Sequence, residues 1–197
     1  MSACHPRESE TKDQPVDLQE EAVSVLRKVL HKQQQWVKVH AAEFLIWTGN
    51  ERGVKQAFLK ELELFHQKPQ YRIGIWRVLA QVSDGAEAAQ YHKQIVNAFL
   101  DTAGKDRIHA IETMAKLKIS PLPDYPFETH DALKSSVKSL IAYAHWATAY
   151  TNAYSMQSAK KYFLGRLLDA RCVTATYSRI CIAQQRKAGN GRLESFK

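Results

Sequence analysis

Apolar residues recur at helical spacing through residues 18–119, and they do so in one pattern written more than once. The segments WVKVHAAEFLIWTGN (36–50) and QYRIGIWRVLAQVSD (70–84) share an apolar face, and a looser copy follows as KDRIHAIETMAKLKI (105–119). Aligning Val39, Ile73 and Ile108 gives offsets of 34 and 35 residues. A period of that length predicts stacked helical hairpins. Each copy is preceded by a second amphipathic stretch. Leu18, Ala22, Val25, Leu26, Val29 and Leu30 mark the first, and Val54, Phe58, Leu59, Leu62 and Phe65 the second. Residues 86–102 make the third. The punctuation agrees with this division. Asp17 with Glu20 forms a start signal, Gly49 and Asn50 a stop, Pro69 a joint, and Ser83, Asp84 and Gly85 another stop.

The repeat fades after Pro121, Pro123 and Pro126. Residues 131–152 and 156–170 still read as helices. The first carries Tyr143, Trp146 and Tyr150, continued by Tyr154, along one face, which is the usual mark of a core-facing stripe. Residues 171–186 are rich in β-branched side chains, but Val173, Tyr177, Ile180 and Cys181 suit a further docked helix. The expected organisation is a disordered arm over 1–16, three hairpins over 17–119, a divergent fourth hairpin and cap over 120–186, and a disordered tail over 187–197. Seven or eight helices and no sheet are expected, an all-α fold with Ala41, Ala42, Leu45, Ile75, Leu79, Ala110 and Met114 in its core.

Composition narrows the class without selecting a function. Eight glycines and six prolines in 197 residues leave little room for all-β turns. No apolar run approaches the ~18 residues of a membrane span, and the opening MSACHPRESE lacks a signal-peptide hydrophobic segment, so a cytoplasmic location is expected. Cys4, Cys172 and Cys181 show no metal-ligand spacing and leave one thiol over in any intramolecular disulfide scheme. The net charge of +8 favours attraction to nucleic acid, anionic membrane or acidic protein, and selects none of them.

The V-[KR]-x-x-A-A-x-x-L core of residues 37–45, with its copies, resembles the HEAT-like repeats of the phycobilisome-lyase type over roughly residues 18–119. The resemblance implies a right-handed α-solenoid of helical hairpins with a divergent C-terminal cap, in which the second helix of each hairpin lines a concave face. On that reading three columns matter. Lys38, Arg72 and Arg107 form a basic column, and Val39, Ile73 and Ile108 an apolar one. The family's usual Asp in the preceding joint is replaced here by QQQ, KPQ and AGK, which leaves the basic column without its customary partner. Trp47 and Lys116 join these two columns as candidate partner-binding residues. Glu43, Arg77 and Glu112 alternate in sign, so Arg77 is placed to bridge Glu43 and Glu112 as a structural ladder.

Catalytic chemistry finds no foothold in the chain. His40 with Glu43 and His109 with Glu112 have the i, i+3 spacing of a two-ligand metal pair. Gly74 falls between them, which places the pairs ~16 to 20 Å apart and excludes one shared ion. The HEAT-repeat deoxyhypusine hydroxylases use adjacent His-Glu dyads, which are lacking here. The HEAT-repeat alkylpurine glycosylases use a Trp and an acid on a basic surface. Here Trp76 falls in a core column, and Asp106 is read as capping its own helix. No nucleophile elbow, P-loop or Rossmann glycine pattern occurs. Neither a cofactor nor a metal is expected. The expected function is a scaffold engaging a protein partner or larger assembly through the concave face. Nucleic-acid binding, in its sharper form glycosylase-like repair, is the alternative.

Overall fold

A computed structural model describes residues 17–168. Among these residues there are nine α-helices and no strand. They are α1 (Leu18–Lys32), α2 (Gln35–Trp47), α3 (Val54–Phe65), α4 (Pro69–Gln81), α5 (Gly85–Leu100), α6 (Arg107–Lys116), α7 (Pro126–Lys134), α8 (Lys138–Thr148) and α9 (Ala153–Leu168). The expected arm (1–16), the helix over 171–186, the tail (187–197), the three cysteines and the side chain of Tyr154 lie outside the described residues.

Local signals explain most boundaries. Asp17 accepts the Gln19 N–H at 2.9 Å and caps α1. Gly49, at φ 72°, takes the left-handed position after α2. There the Gly49 N–H donates to Ile46 and the Asn50 N–H to Leu45, the paired bonds of a Schellman ending. The largest departure is at 131–152, expected as one helix and found as parts of α7 and α8. The Ser135 Oγ accepts the Val137 N–H at 3.0 Å, a local bond that competes with helix continuation. Pro126 sits in the first turn of α7, where its missing N–H costs nothing. This split makes α7 and α8 the fourth hairpin, leaves α9 as an additional helix, and raises the helix number above the seven or eight expected.

Each odd-numbered helix from α1 to α7 packs on the even-numbered helix after it. The even helices then touch one another in succession, α2 on α4, α4 on α6, α6 on α8, while α1 and α3 barely meet. Two apolar clusters result. One gathers Leu30, Val39, Ala42, Leu45, Val54, Phe58, Ile75 and Leu79 from α1 to α4. The other gathers Ile73, Ile95, Phe99, Ala110, Ile111, Met114, Trp146 and Phe163. Trp76 and Leu117 pack against both. All seven residues expected in the core are buried. Tyr143 and Trp146 are buried as the stripe on α8 implied, whereas Tyr150 is exposed.

Candidate functional site

The row of even helices presents one stripe outside the core. Residues 36, 40, 43 and 47 of α2 recur at i, i+4, i+7 and i+11, the spacing of a single helix face. Displaced by the repeat offset, the same positions are Gln70, Gly74, Arg77 and Gln81 on α4, and His109, Glu112 and Lys116 on α6, with Lys105 in the turn before it. Contacts run across these columns from helix to helix. The Trp36 ring stacks on His109 with centroids 5.3 Å apart, and the Trp47 Nε1–H donates to Gln81 Oε1 at 3.2 Å. Trp36, His40, Arg77, His109, Glu112 and Lys116 line a cleft of about 240 Å³.

Gly74 makes this cleft possible. A Cβ there would lie 2.9 Å from Trp36 Cζ3 and 3.0 Å from Val39 Cγ2, so only glycine leaves room for the indole to cross α4 and reach α6. Trp36 also lies 6.5 Å from the His40 ring. The two imidazoles are therefore separated by no more than the sum of those two ring distances, well short of the ~16 to 20 Å expected from helix spacing. The indole bridges them, and among the described residues no group of three His, Cys, Asp or Glu could hold a metal ion. His109 Nδ1 is shielded from solvent without a hydrogen-bond partner. Burial holds the His109 pKa below the ordinary histidine range. Glu112 pulls the other way, and Arg77 reinforces the burial. A neutral ring results at neutral pH, which suits face-on stacking with Trp36.

Arg77 is the centre of the stripe and is almost wholly buried, at 1% exposure. Its Nη2 donates to Glu43 Oε2 at 3.2 Å, and its Nε lies 2.6 Å from Glu43 Oε1, close but outside hydrogen-bond alignment. Its Nη1 donates not to Glu112 but to the Thr113 hydroxyl at 3.3 Å. Glu112 instead pairs with Lys116 at 3.0 Å on its own helix. The expected three-residue ladder is thus half formed. The Glu43 carboxylate also accepts from His40, whose ring is 3.1 Å away.

The basic column expected to project unpaired is paired throughout. Lys38 meets Glu61 of α3 at 2.6 Å, Arg72 meets Asp106 at 2.6 Å, and Arg107 meets Asp131 of α7 at 2.9 Å. Asp106 is buried and gives no side-chain cap to α6, because its carboxylate is taken by Arg72. Val39 and Ile73 are fully buried and Ile108 is half-buried against the core, so the apolar column is packing surface. Both columns lie one or two residues from the true inner stripe, a rotation of at least about 100° on a helix. Trp47 and Lys116 do stand on the stripe, and Trp47 is 63% exposed.

Two features escaped the sequence reading. One is Trp36, whose role depends on an absent side chain two helices along the chain. The other is the source of the acids. Lys38 and Arg107 each find a carboxylate on the following odd helix, 23 and 24 residues onward. In the middle unit that position is the buried Ile95, and Arg72 turns to Asp106, 34 residues onward. For Lys38 and Arg107 an acid at nearly the same distance after the base was the available signal, and for Arg72 that signal is missing. Burial and the adjoining Glu61 carboxylate also push the Tyr71 phenol upward, since Tyr71 donates its hydroxyl to Glu61 beside Lys38.

No protein-family model matches this chain, no curated protein is significantly similar to it, and no solved structure matches it. No helix among the described residues is long and apolar enough to cross a membrane.

Proposed function

We propose that the chain is a helical-repeat binding module, a solenoid of the HEAT-like kind, that engages a protein partner through the stripe of α2, α4 and α6 and performs no catalysis. The observation that carries this reading is the pairing of five bases on and beside the stripe. Glu43 answers Arg77, Glu112 answers Lys116, and Glu61, Asp106 and Asp131 answer Lys38, Arg72 and Arg107. A face whose cations are already paired releases few counterions from a phosphate backbone and gains little from binding one. What it offers instead is an exposed indole at Trp47, a half-exposed imidazole at His40 and a narrow cleft floored by Trp36. Aromatic anchors among satisfied polar groups suit a protein segment.

The test is selection from a displayed library of random peptides on the immobilised protein, with Trp47→Ala as the competing bait. Trp47 contacts Gln81 from the surface, so its loss should leave the fold intact. Peptides that enrich on the wild type and lose enrichment on the variant support the proposal. Equal enrichment on both baits, or none on either, refutes it. The nucleic-acid alternative wins if short oligonucleotides bind instead with affinity that falls steeply as salt rises.

A further inference from the structure

We propose that α1 carries a self-association surface, through which a second copy of this chain docks with its own α1 antiparallel. The surface is distinct from the inner stripe. In α1, Leu30 is buried and Val23 and Leu26 pack inward, but a second apolar line, Leu18, Ala22 and Val25, faces outward at steps of four and three residues. That is the spacing of a helix seam that meets another helix. Leu18 is 77% exposed, Val25 51% and Phe44 of α2 51%, and together they line a groove of about 500 Å³. Elsewhere in the row both flanks of an even helix are covered, as α4 is by α2 and α6. Helix α2 has only α4 beside it in that row, and its apolar residues continue round to the open flank.

Charge selects the occupant. Glu21 and Lys28 border the apolar line, both are exposed, and neither forms an ion pair among the described residues. They stand seven residues apart, ~10 Å along the helix. When two copies of α1 run antiparallel about a dyad beside Val25, Glu21 of each copy meets Lys28 of the other. The ends agree with this arrangement, since Glu20 and Glu21 open the helix and His31 and Lys32 close it. A parallel pair would set like charges together. An isologous pairing uses one patch twice, and this patch is complementary to itself.

The experiment is sedimentation velocity of the full chain, with reductant, from about 5 to 200 µM. The wild type should pass reversibly from monomer to dimer within that range. Glu21→Lys should weaken the dimer by about tenfold, because two attractive pairs become two repulsive ones. Lys28→Glu should do the same. The double variant E21K/K28E restores both pairs across the dyad, and its dimer should return to within about threefold of the wild type. Circular dichroism confirms that each exposed substitution leaves the helices intact. A wild type that stays monomeric at every concentration overturns the proposal, as does a dimer indifferent to the single charge reversals or one that the double variant fails to restore. Lys116→Ala, on the stripe of α6 away from α1, should leave self-association unchanged, which separates this surface from the inner stripe.

Discussion

Substituting Glu43 by Gln removes one charge from the centre of the inner stripe while keeping the side-chain volume. Arg77 would then remain buried at 1% exposure, with the Thr113 hydroxyl as its surviving side-chain hydrogen-bond partner and an amide where a carboxylate stood. Breaking a buried ion pair by removing one member costs about 3 to 5 kcal/mol, because the remaining charge is neither solvated nor compensated. The amide oxygen still accepts a hydrogen bond, so the lower end, about 3 kcal/mol, is expected. The exposed His40 contact adds little. For a chain of this size that loss lowers Tm by ~6 to 12 °C. Urea denaturation followed by helix ellipticity should show a lower midpoint with an unchanged m-value. The pair Glu43→Leu with Arg77→Met should recover most of the loss, since a well-packed apolar pair often matches a buried ion pair. A single-variant cost below about 1 kcal/mol would mean a solvated carboxylate, and the register of α2 against α4 argued above would be wrong.

Gly74→Ala should destabilise by about 1 to 3 kcal/mol, because the added Cβ meets Trp36 and Val39 at about 3 Å, and the Trp36 emission should shift as the indole is displaced; an unchanged midpoint and spectrum would place Trp36 elsewhere. Stability should also fall in mild acid. Burial lowers the His145 pKa from 6.5 to about 4, so its contribution is complete above about pH 6.5 and is lost as pH falls through the folded value near 4, with His109 shifted the same way. Between pH 7 and 5 the His145 contribution amounts to about 2 kcal/mol. His145→Phe, which keeps a ring against Tyr162 at the 4.4 Å stack, should shed that part of the slope, and equal slopes in wild type and variant would contradict the assignment.

Much of the architecture was legible because hydrophobic period and punctuation agreed. The span of α1 follows directly from Asp17 and the stripe to Leu30, and the small residues Ala41, Ala42 and Ala110 lie buried between close helices. The inner stripe was harder. One residue of misregister rotates a helix face by about 100°, enough to exchange the line of half-buried Trp36 with exposed His40 and Trp47 for the half-buried Lys38 and buried Val39. Only the Glu43, Arg77, Glu112 column, with Trp47 and Lys116, was placed on the correct side. The carboxylates that neutralise the bases come from the following odd helix or the next joint, so inspection of the preceding joint could not reveal them. The split between α7 and α8 was hidden because Ser135 interrupts an otherwise continuous helical pattern with a side-chain bond rather than with the backbone of a Gly or Pro.

The central claim, that the paired inner stripe receives a protein segment rather than nucleic acid, is tested most directly by fluorescence anisotropy. One probe is a labelled peptide from the displayed-library selection, the other a labelled single-stranded oligonucleotide of about 20 nucleotides, each titrated with the full chain at about 50 and 200 mM salt. The account predicts peptide binding that changes less than about threefold between the two salts and is lost in Trp47→Ala, with oligonucleotide binding no tighter than the ~10⁻⁴ to 10⁻⁶ M of non-specific contact. Tighter oligonucleotide binding that falls by about a hundredfold or more over the same interval would contradict it.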